Sequence, residues 1–263
     1  MAAMFVVFLV AVCAIFGREL APDDPAAQNL LSGLQTPSWT HLLGTDNSGR
    51  DIFSRLLVGT QHAVSGPLLI AAASALIASV LGLFAGYTGG WVDSAIMRSA
   101  DLFYAFPSLV VVIVLIGVIG GSYLAAVGVL VLLTWPGDIR VVRGATLEQR
   151  TLPYVDAART LGLKRRTIIA RHIWPNVMPL VVTNAFLDFA YSLVALSALS
   201  FLGLGTAPGT PDWGLMISDN FSLLQTNPAA VLAPGLALVL TASSMNILGD
   251  YLFELLQDRG RAR

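Results

Sequence analysis

The sequence is poor in charge. Asp, Glu, Lys and Arg together make up 12% of its 263 residues, about half of the ~25% that a water-soluble domain carries. A chain so thinly charged cannot cover its own surface in water, which excludes an ordinary soluble domain. Cysteine is nearly absent: Cys13 is alone, which excludes an intrachain disulfide and a cysteine-based zinc cage. No Gly-x-x-x-x-Gly-Lys-Ser/Thr stretch occurs to cradle a phosphate. No basic patch with a nucleic-acid motif is present, so no nucleic-acid partner is expected. His172 has no spaced set of Cys, His or carboxylates around it, and no metal site, cofactor or catalytic residue is assigned to this chain.

What is there is apolar. Hydrophobic residues reach 56% and mean hydropathy is +0.74, the balance of a polytopic membrane protein. A span needs about 20 apolar residues, and six runs approach that size: 2–17, 66–87, 105–121, 123–142, 177–202 and 228–248. The expected fold class is therefore all-α with six transmembrane helices. The first run lacks a basic leader and a small-residue cleavage site before Arg18, so it is expected to be a retained span rather than a signal peptide. Val12 also stands where lipoprotein processing at Cys13 needs a small residue.

With the N-terminus inside, 12 of the 15 basic residues fall in cytoplasmic segments, and only Arg18, Arg50 and Arg55 fall outside. The positive-inside rule then places both termini, including Arg259, Arg261 and Arg263, in the cytoplasm of a multi-pass protein in the cell membrane. The expected organisation is a first span (1–17), an extracytoplasmic segment (18–65), a core of five spans (66–250) and a cytoplasmic tail (251–263). The core carries a basic loop at 143–176. Within the extracytoplasmic segment, Ile52, Leu56, Leu57 and Ala63 give residues 51–64 the pattern of a helix lying along the membrane surface. Gly82, Gly86 and a run of alanines suit close contact between residues 66–87 and another helix, in this chain or a partner.

The basic loop predicts helix, break, helix. Pro153 suits a first helical turn, Asp156 sits near the positive end of the dipole, and Gly162 offers a left-handed exit. Ala157 and Ala158 leave a low-relief surface that can enter a groove on another protein, although a plain basic loop obeying positive-inside fits the same spacing. Asp188 lies inside the fifth run, where an unpaired charge costs about 2.5–3.5 kcal/mol. It must face the bundle interior or water, with Asn184 one turn earlier to share its hydrogen bonds. Structural pairing, lining of a path and a cation or proton site all fit. At Gly44 to Asp51, turn residues and the carboxylates of Asp46 and Asp51 flank Arg50. That is the chemistry either of a self-satisfied loop or of a contact surface.

Three stretches resemble one family. Asp156-Ala157-Ala158, Gly162 and then His172-Ile173-Trp174-Pro175-Asn176 are similar to the Glu-Ala-Ala loop of ABC-importer permeases, with Asp for Glu. Leu43-Gly44-Thr45-Asp46-Asn47-Ser48-Gly49-Arg50-Asp51 resembles a signature of the permeases for dipeptides, oligopeptides and nickel. So does Leu199-Ser200-Phe201-Leu202-Gly203-Leu204-Gly205 followed by Pro211-Asp212-Trp213-Gly214. Leu196 stands where that branch often has Glu.

The resemblance implies a type I importer permease fold and a non-catalytic subunit that moves di- or oligopeptides. Nickel, haem or glutathione are the alternative cargoes. It implies four partners: an ATP-binding cassette ATPase holding the ATP and magnesium, a homologous permease in a heterodimer, an extracytoplasmic solute-binding protein, and the bilayer. The implied ATPase-coupling residues are Asp156, Ala157, Ala158, Arg159, Leu161, Gly162, Leu163, Lys164 and Arg165. Asn184 and Asp188 would line the path, and Asp46, Arg50 and Asp51 would form the lip toward the binding protein. The rival from another class is an ion-coupled secondary transporter in which Asp188 carries the ion.

Overall fold

A computed structural model describes residues 1–29, 33–105 and 107–261. Among them lie ten α-helices and no strand; an isolated β-bridge joins Thr45 to Asp51. Five apolar helices are long enough to cross a membrane. They are α1 (Ala2–Leu20), α2 (Ile52–Thr88), α5 (Tyr123–Arg150), α8 (Trp174–Phe201, extended backward by residues 165–173) and α10 (Ala229–Arg261). The third expected span, 105–121, contains the shorter α4 (Ser108–Ile119), while its Phe106 lies outside the described residues. Pro107 caps α4 at one end and Gly120, at φ 97°, stops it at the other. Twelve residues rise only about 18 Å against a hydrocarbon core of about 30 Å. Yet α2 and α5 run in the same direction, with Gly82 beside Val142 and Gly86 beside Thr146, so the segment between them still carries the chain back across the bundle and keeps the number of crossings even.

The helix expected to lie along the surface at 51–64 is instead the first third of α2. This single helix of 37 residues is about 55 Å long at 1.5 Å per residue. Gly66-Pro67 looks like a break in sequence, yet the helix runs through it. The Tyr123 hydroxyl, at the start of α5, packs against this turn and donates to the His62 carbonyl, one residue before the Ala63 carbonyl that Pro67 leaves without its helical donor. Gly66 is where that hydroxyl enters, since a Cβ there would collide with it.

Glycines set the central helix pair. A Cβ on Gly82 would meet the Val142 Cβ at 2.8 Å, and one on Gly86 would meet the Thr146 Cβ at 2.7 Å. The small residues of α2 thus bring it against α5 of the same chain, as lipid-phase packing favours. Around this pair one apolar cluster centres on Ile139, Val142, Val155 and Ile173, and another on Ile70, Ile116, Leu196 and Leu199. A third, at the other end of the bundle, joins Ile52, Phe189, Leu193, Trp213 and Met216. On the outside, Phe5, Phe8 and Ile15 of α1 and Leu236, Val239 and Ile247 of α10 stand more than half exposed. Such a continuous apolar exterior is stable against lipid and not against water.

Candidate functional site

Two ends and one cavity carry the polar chemistry. At the basic end, α5 passes through Arg143 and Arg150 and stops at Thr151, after which α6 (Pro153–Thr160) forms with Pro153 in its first turn. Its exit is a complete Schellman motif. Gly162 has φ +76°, its N–H donates to the Arg159 carbonyl at 2.9 Å, and the Leu163 N–H reaches the Ala158 carbonyl at 3.2 Å. Two short pieces, α7 (Arg165–Ile168) and a π-turn (Ile169–Ile173), then lead into α8. The helix, break, helix read from sequence is the observed local structure.

The inner face of α6 is fixed to the bundle. Val155 and Ala158 are buried in the first cluster, and the Tyr154 hydroxyl lies 2.7 Å from Gln149 Oε1 and 3.3 Å from Asn176 Nδ2. Burial raises the Tyr154 phenol above its ordinary range. Ala158 therefore faces this chain, and the low-relief surface expected of both alanines is reduced to Ala157. The outer face carries Asp156, Ala157, Arg159, Leu161, Gly162, Leu163, Lys164 and Arg165, all exposed. Leu161 is 79% exposed, an apolar side chain with nothing of its own chain to cover it. Arg159 pairs with Asp156 at 3.0 Å and sits over the Tyr87 ring at the end of α2. Beside it, α3 (Gly90–Tyr104) is clipped to α5 by a two-point pair, Arg143 Nε to Asp93 Oδ1 and Arg143 Nη2 to Asp93 Oδ2 at 2.6 Å. Arg140 to Asp101 adds a second link at 2.6 Å. The Arg143 hydrogen bonds hold the Asp93 carboxyl below the usual carboxylate range.

At the opposite end, the three residues expected at a lip are buried. Asp46, Arg50 and Asp51 are 1%, 8% and 3% exposed, so their side chains do not present a surface to another protein. Asp46 Oδ2 accepts from Arg50 Nε at 2.6 Å, and its Oδ1 accepts the N–H groups of Ser48 and Arg50. Asp51 caps α2 by accepting from the Ser54 N–H and hydroxyl, each at 2.7 Å. Arg55, fully buried, donates to the carbonyls of Pro25, Gly209 and Thr210 and ties two loops to α2. The motif is a scaffold, the self-satisfied alternative of the sequence reading. Asp212 likewise caps α9 (Trp213–Asp219) through the Leu215 N–H, and burial raises its carboxyl above the usual range. Sequence gave no hint that Asp23 Oδ2 and Asp51 Oδ1 converge on His41 Nδ1, at 3.6 and 3.0 Å.

Between the ends, a cavity of about 500 Å3 is bounded by α4, α5, α8 and the end of α3. Asn184 and Asp188, both expected on a path, line it. Asp138 of α5 lines it as well and was not expected. Ser74 donates to Asp138 Oδ2, and Asn184 Nδ2 donates to Asp138 Oδ1 at 2.6 Å. Asp188 lies beside Asp138, and its own Oδ2 is buried without a hydrogen-bond partner. The signal for Asp138 was available: it is a carboxylate inside the run 123–142, and the rule that singled out Asp188 applies to it equally.

Comparison with known proteins places this architecture. Residues 78–261 match the family model described as "Binding-protein-dependent transport system inner membrane component". The chain is 35% identical over 261 residues to the glutathione transport system permease protein GsiD of Pectobacterium atrosepticum, covering 98% of this chain and 86% of that one. It is 35% identical to the probable D,D-dipeptide transport system permease protein DdpC of Escherichia coli K12, covering 97% and 85%. In fold it is similar to a chain of the inward-facing MetNI methionine ABC transporter, with a TM-score of 0.55 at 19% identity over 74% of this chain and 94% of that one. With most of its length inside the family model and relatives aligned end to end, the chain belongs to the inner-membrane components of binding-protein-dependent transport systems.

Proposed function

We propose that this chain is the non-catalytic half of a heterodimeric permease that imports di- or oligopeptides, driven by ATP hydrolysed on a separate ATPase. The observation that carries the reading is α6. Its inner face is locked to the bundle by Val155, Ala158 and Tyr154, while its outer face offers exposed Leu161 and a small Ala157 beside Arg159, Lys164 and Arg165. Such a lever transmits motion without bending. If an ATPase cleft holds Leu161, closure of that ATPase displaces α6 as a body, and α5 and α8 follow because α6 and α7 connect them. The two spans are also the walls of the cavity that holds Asn184 and Asp188, so access to the cavity changes with the position of the lever. This is a two-state switch, biased by whichever partner binds one state more tightly.

The relatives named for glutathione and D,D-dipeptide transport support a small peptide as cargo. The remaining parts are the second permease, a solute-binding protein at the outer face, and ATP with magnesium on the ATPase. Both termini lie in the cytoplasm, on the side of the basic loop. The test is purification of the tagged chain from its native membrane in mild detergent. Co-purification of an ATPase and a second permease, with hydrolysis stimulated by peptide-loaded binding protein, is the expected result. The same complex without stimulation by any peptide would remove the cargo assignment, and a lone chain that transports without an ATPase would overturn the mechanism.

A further inference from the structure

Among the described residues the Asp138–Asp188 pair forms no ion pair with a counter-charge. The two carboxylates come from different helices, α5 and α8, and meet at the wall of one cavity. Asp138 is 6% exposed and held from both sides, by Ser74 and by Asn184. Asp188 Oδ2 is buried and accepts nothing. The ion pairs among the described residues all lie elsewhere. Arg140, two residues from Asp138, is turned away to Asp101 at 2.6 Å and stacked on Tyr104 at 4.3 Å.

The two carboxyls are hydrogen-bonded to each other, which needs one proton shared between them, because two full charges side by side at membrane depth would repel strongly in the low dielectric there. A cation placed between them can take the place of that proton, which leaves to water. The cavity also supplies what a cation needs besides charge: Tyr191 lines it, while the Tyr104 ring is already taken by Arg140, and an aromatic face attracts ammonium and guanidinium groups. About 500 Å3 is room for a dipeptide and not only for a bare ion.

We infer that Asp138 and Asp188 together form a subsite for a cationic side chain of the cargo, the ammonium of lysine or the guanidinium of arginine as distinct from the α-ammonium that every free peptide carries, so that passage through this subunit favours peptides with a positively charged side chain. The inference rests on the peptide-import reading and adds a charge preference to it. Asp138, oriented by Ser74 and Asn184, is the fixed half of the subsite, and Asp188, held only by Asp138 and with its Oδ2 otherwise unpartnered, is the half that closes on the cargo.

The experiment uses the complete complex in proteoliposomes with its binding protein in excess. Uptake of lysyl-alanine and of aspartyl-alanine is measured, and each is divided by the amount that the binding protein itself holds, which cancels selection at that earlier step. The wild-type ratio should exceed about tenfold in favour of the lysyl peptide. Asp138→Asn and Asp188→Asn should each bring it to within about threefold of unity, while Asp188→Glu, which keeps the charge, should retain most of it. Co-purification of each variant with its partners shows that it has assembled; if neither Asn variant assembles, the wild-type ratio decides. A wild-type ratio near one, or a ratio unchanged in assembled Asn variants, overturns the charge preference and leaves peptide import standing. Uptake of neither dipeptide by the wild-type complex overturns the peptide reading and this inference with it.

Discussion

Gly162 shows what a single residue decides. Its φ of +76° closes the Schellman motif, and the space around its missing Cβ is empty. The demand for glycine is thus one of backbone conformation and not of crowding. Val at this position resists a positive φ and costs of order 1–3 kcal/mol where the surroundings enforce it. The chain then leaves α6 in another direction and carries Leu163 to Arg165 away from their places. Gly162→Val should insert into the membrane normally and lose at least about tenfold of transport, with the ATPase no longer co-purifying; Gly162→Asn, which tolerates the left-handed region, should recover most of it. Normal assembly and transport by the Val variant would remove this geometry from the mechanism. The glycine was legible because its conformational role is local. That Asp138 sits at membrane depth is equally legible, as a carboxylate inside an apolar run, but that it meets Asp188, fifty positions later on another helix, is reported by no local pattern. The direction of Ala158 was hidden for the same reason, since spacing places Ala157 and Ala158 together and only the packing of Val155 shows which side is inward.

At the scale of elements, the long apolar helices were legible and their ends were not. Residues 66–87 read as a span, yet the helix begins at Ile52 and runs through Pro67, packed at that turn against Tyr123 of α5, a tertiary contact that no local pattern reports. The same tertiary logic places α3, which is too polar to be a span and is held at the basic end by Asp93 and Arg143. The sign of its pH dependence follows. The Asp93 carboxyl is held below its ordinary value by the Arg143 hydrogen bonds, so the link is complete at neutral pH. It is lost only as the pH falls below the usual carboxylate range and through the lowered value. Proteolysis of the turn at Gly89 and Gly90 should therefore stay slow from pH 8 to about pH 4 and accelerate below it, whereas Asp93→Asn should be cut quickly throughout. An Asn variant as resistant as the wild type at neutral pH would show that the pair does not hold α3.

At the scale of the whole molecule, the two ends of the bundle differ. Buried Arg55 joins two loops to α2 at one end, while the other end leaves Leu161 and its basic neighbours uncovered. The proposed function puts the uncovered end toward a cytoplasmic ATPase, the orientation that the arginine distribution also favours. Accessible positions exist to test it: Trp39 is 98% and Leu161 79% exposed, at opposite ends of the bundle. With Cys13 replaced by Ala, Trp39→Cys should react with a membrane-impermeant maleimide on intact cells lacking an outer barrier. Leu161→Cys should react only once the membrane is opened. The second label carries further information, because an ATPase seated on α6 covers Leu161. Labelling of Leu161→Cys should thus be slow in the assembled complex and should rise when the ATPase is stripped away. Reaction of Leu161→Cys from outside would invert the topology. Equal reactivity with and without the ATPase would keep the topology and move the docking surface off α6.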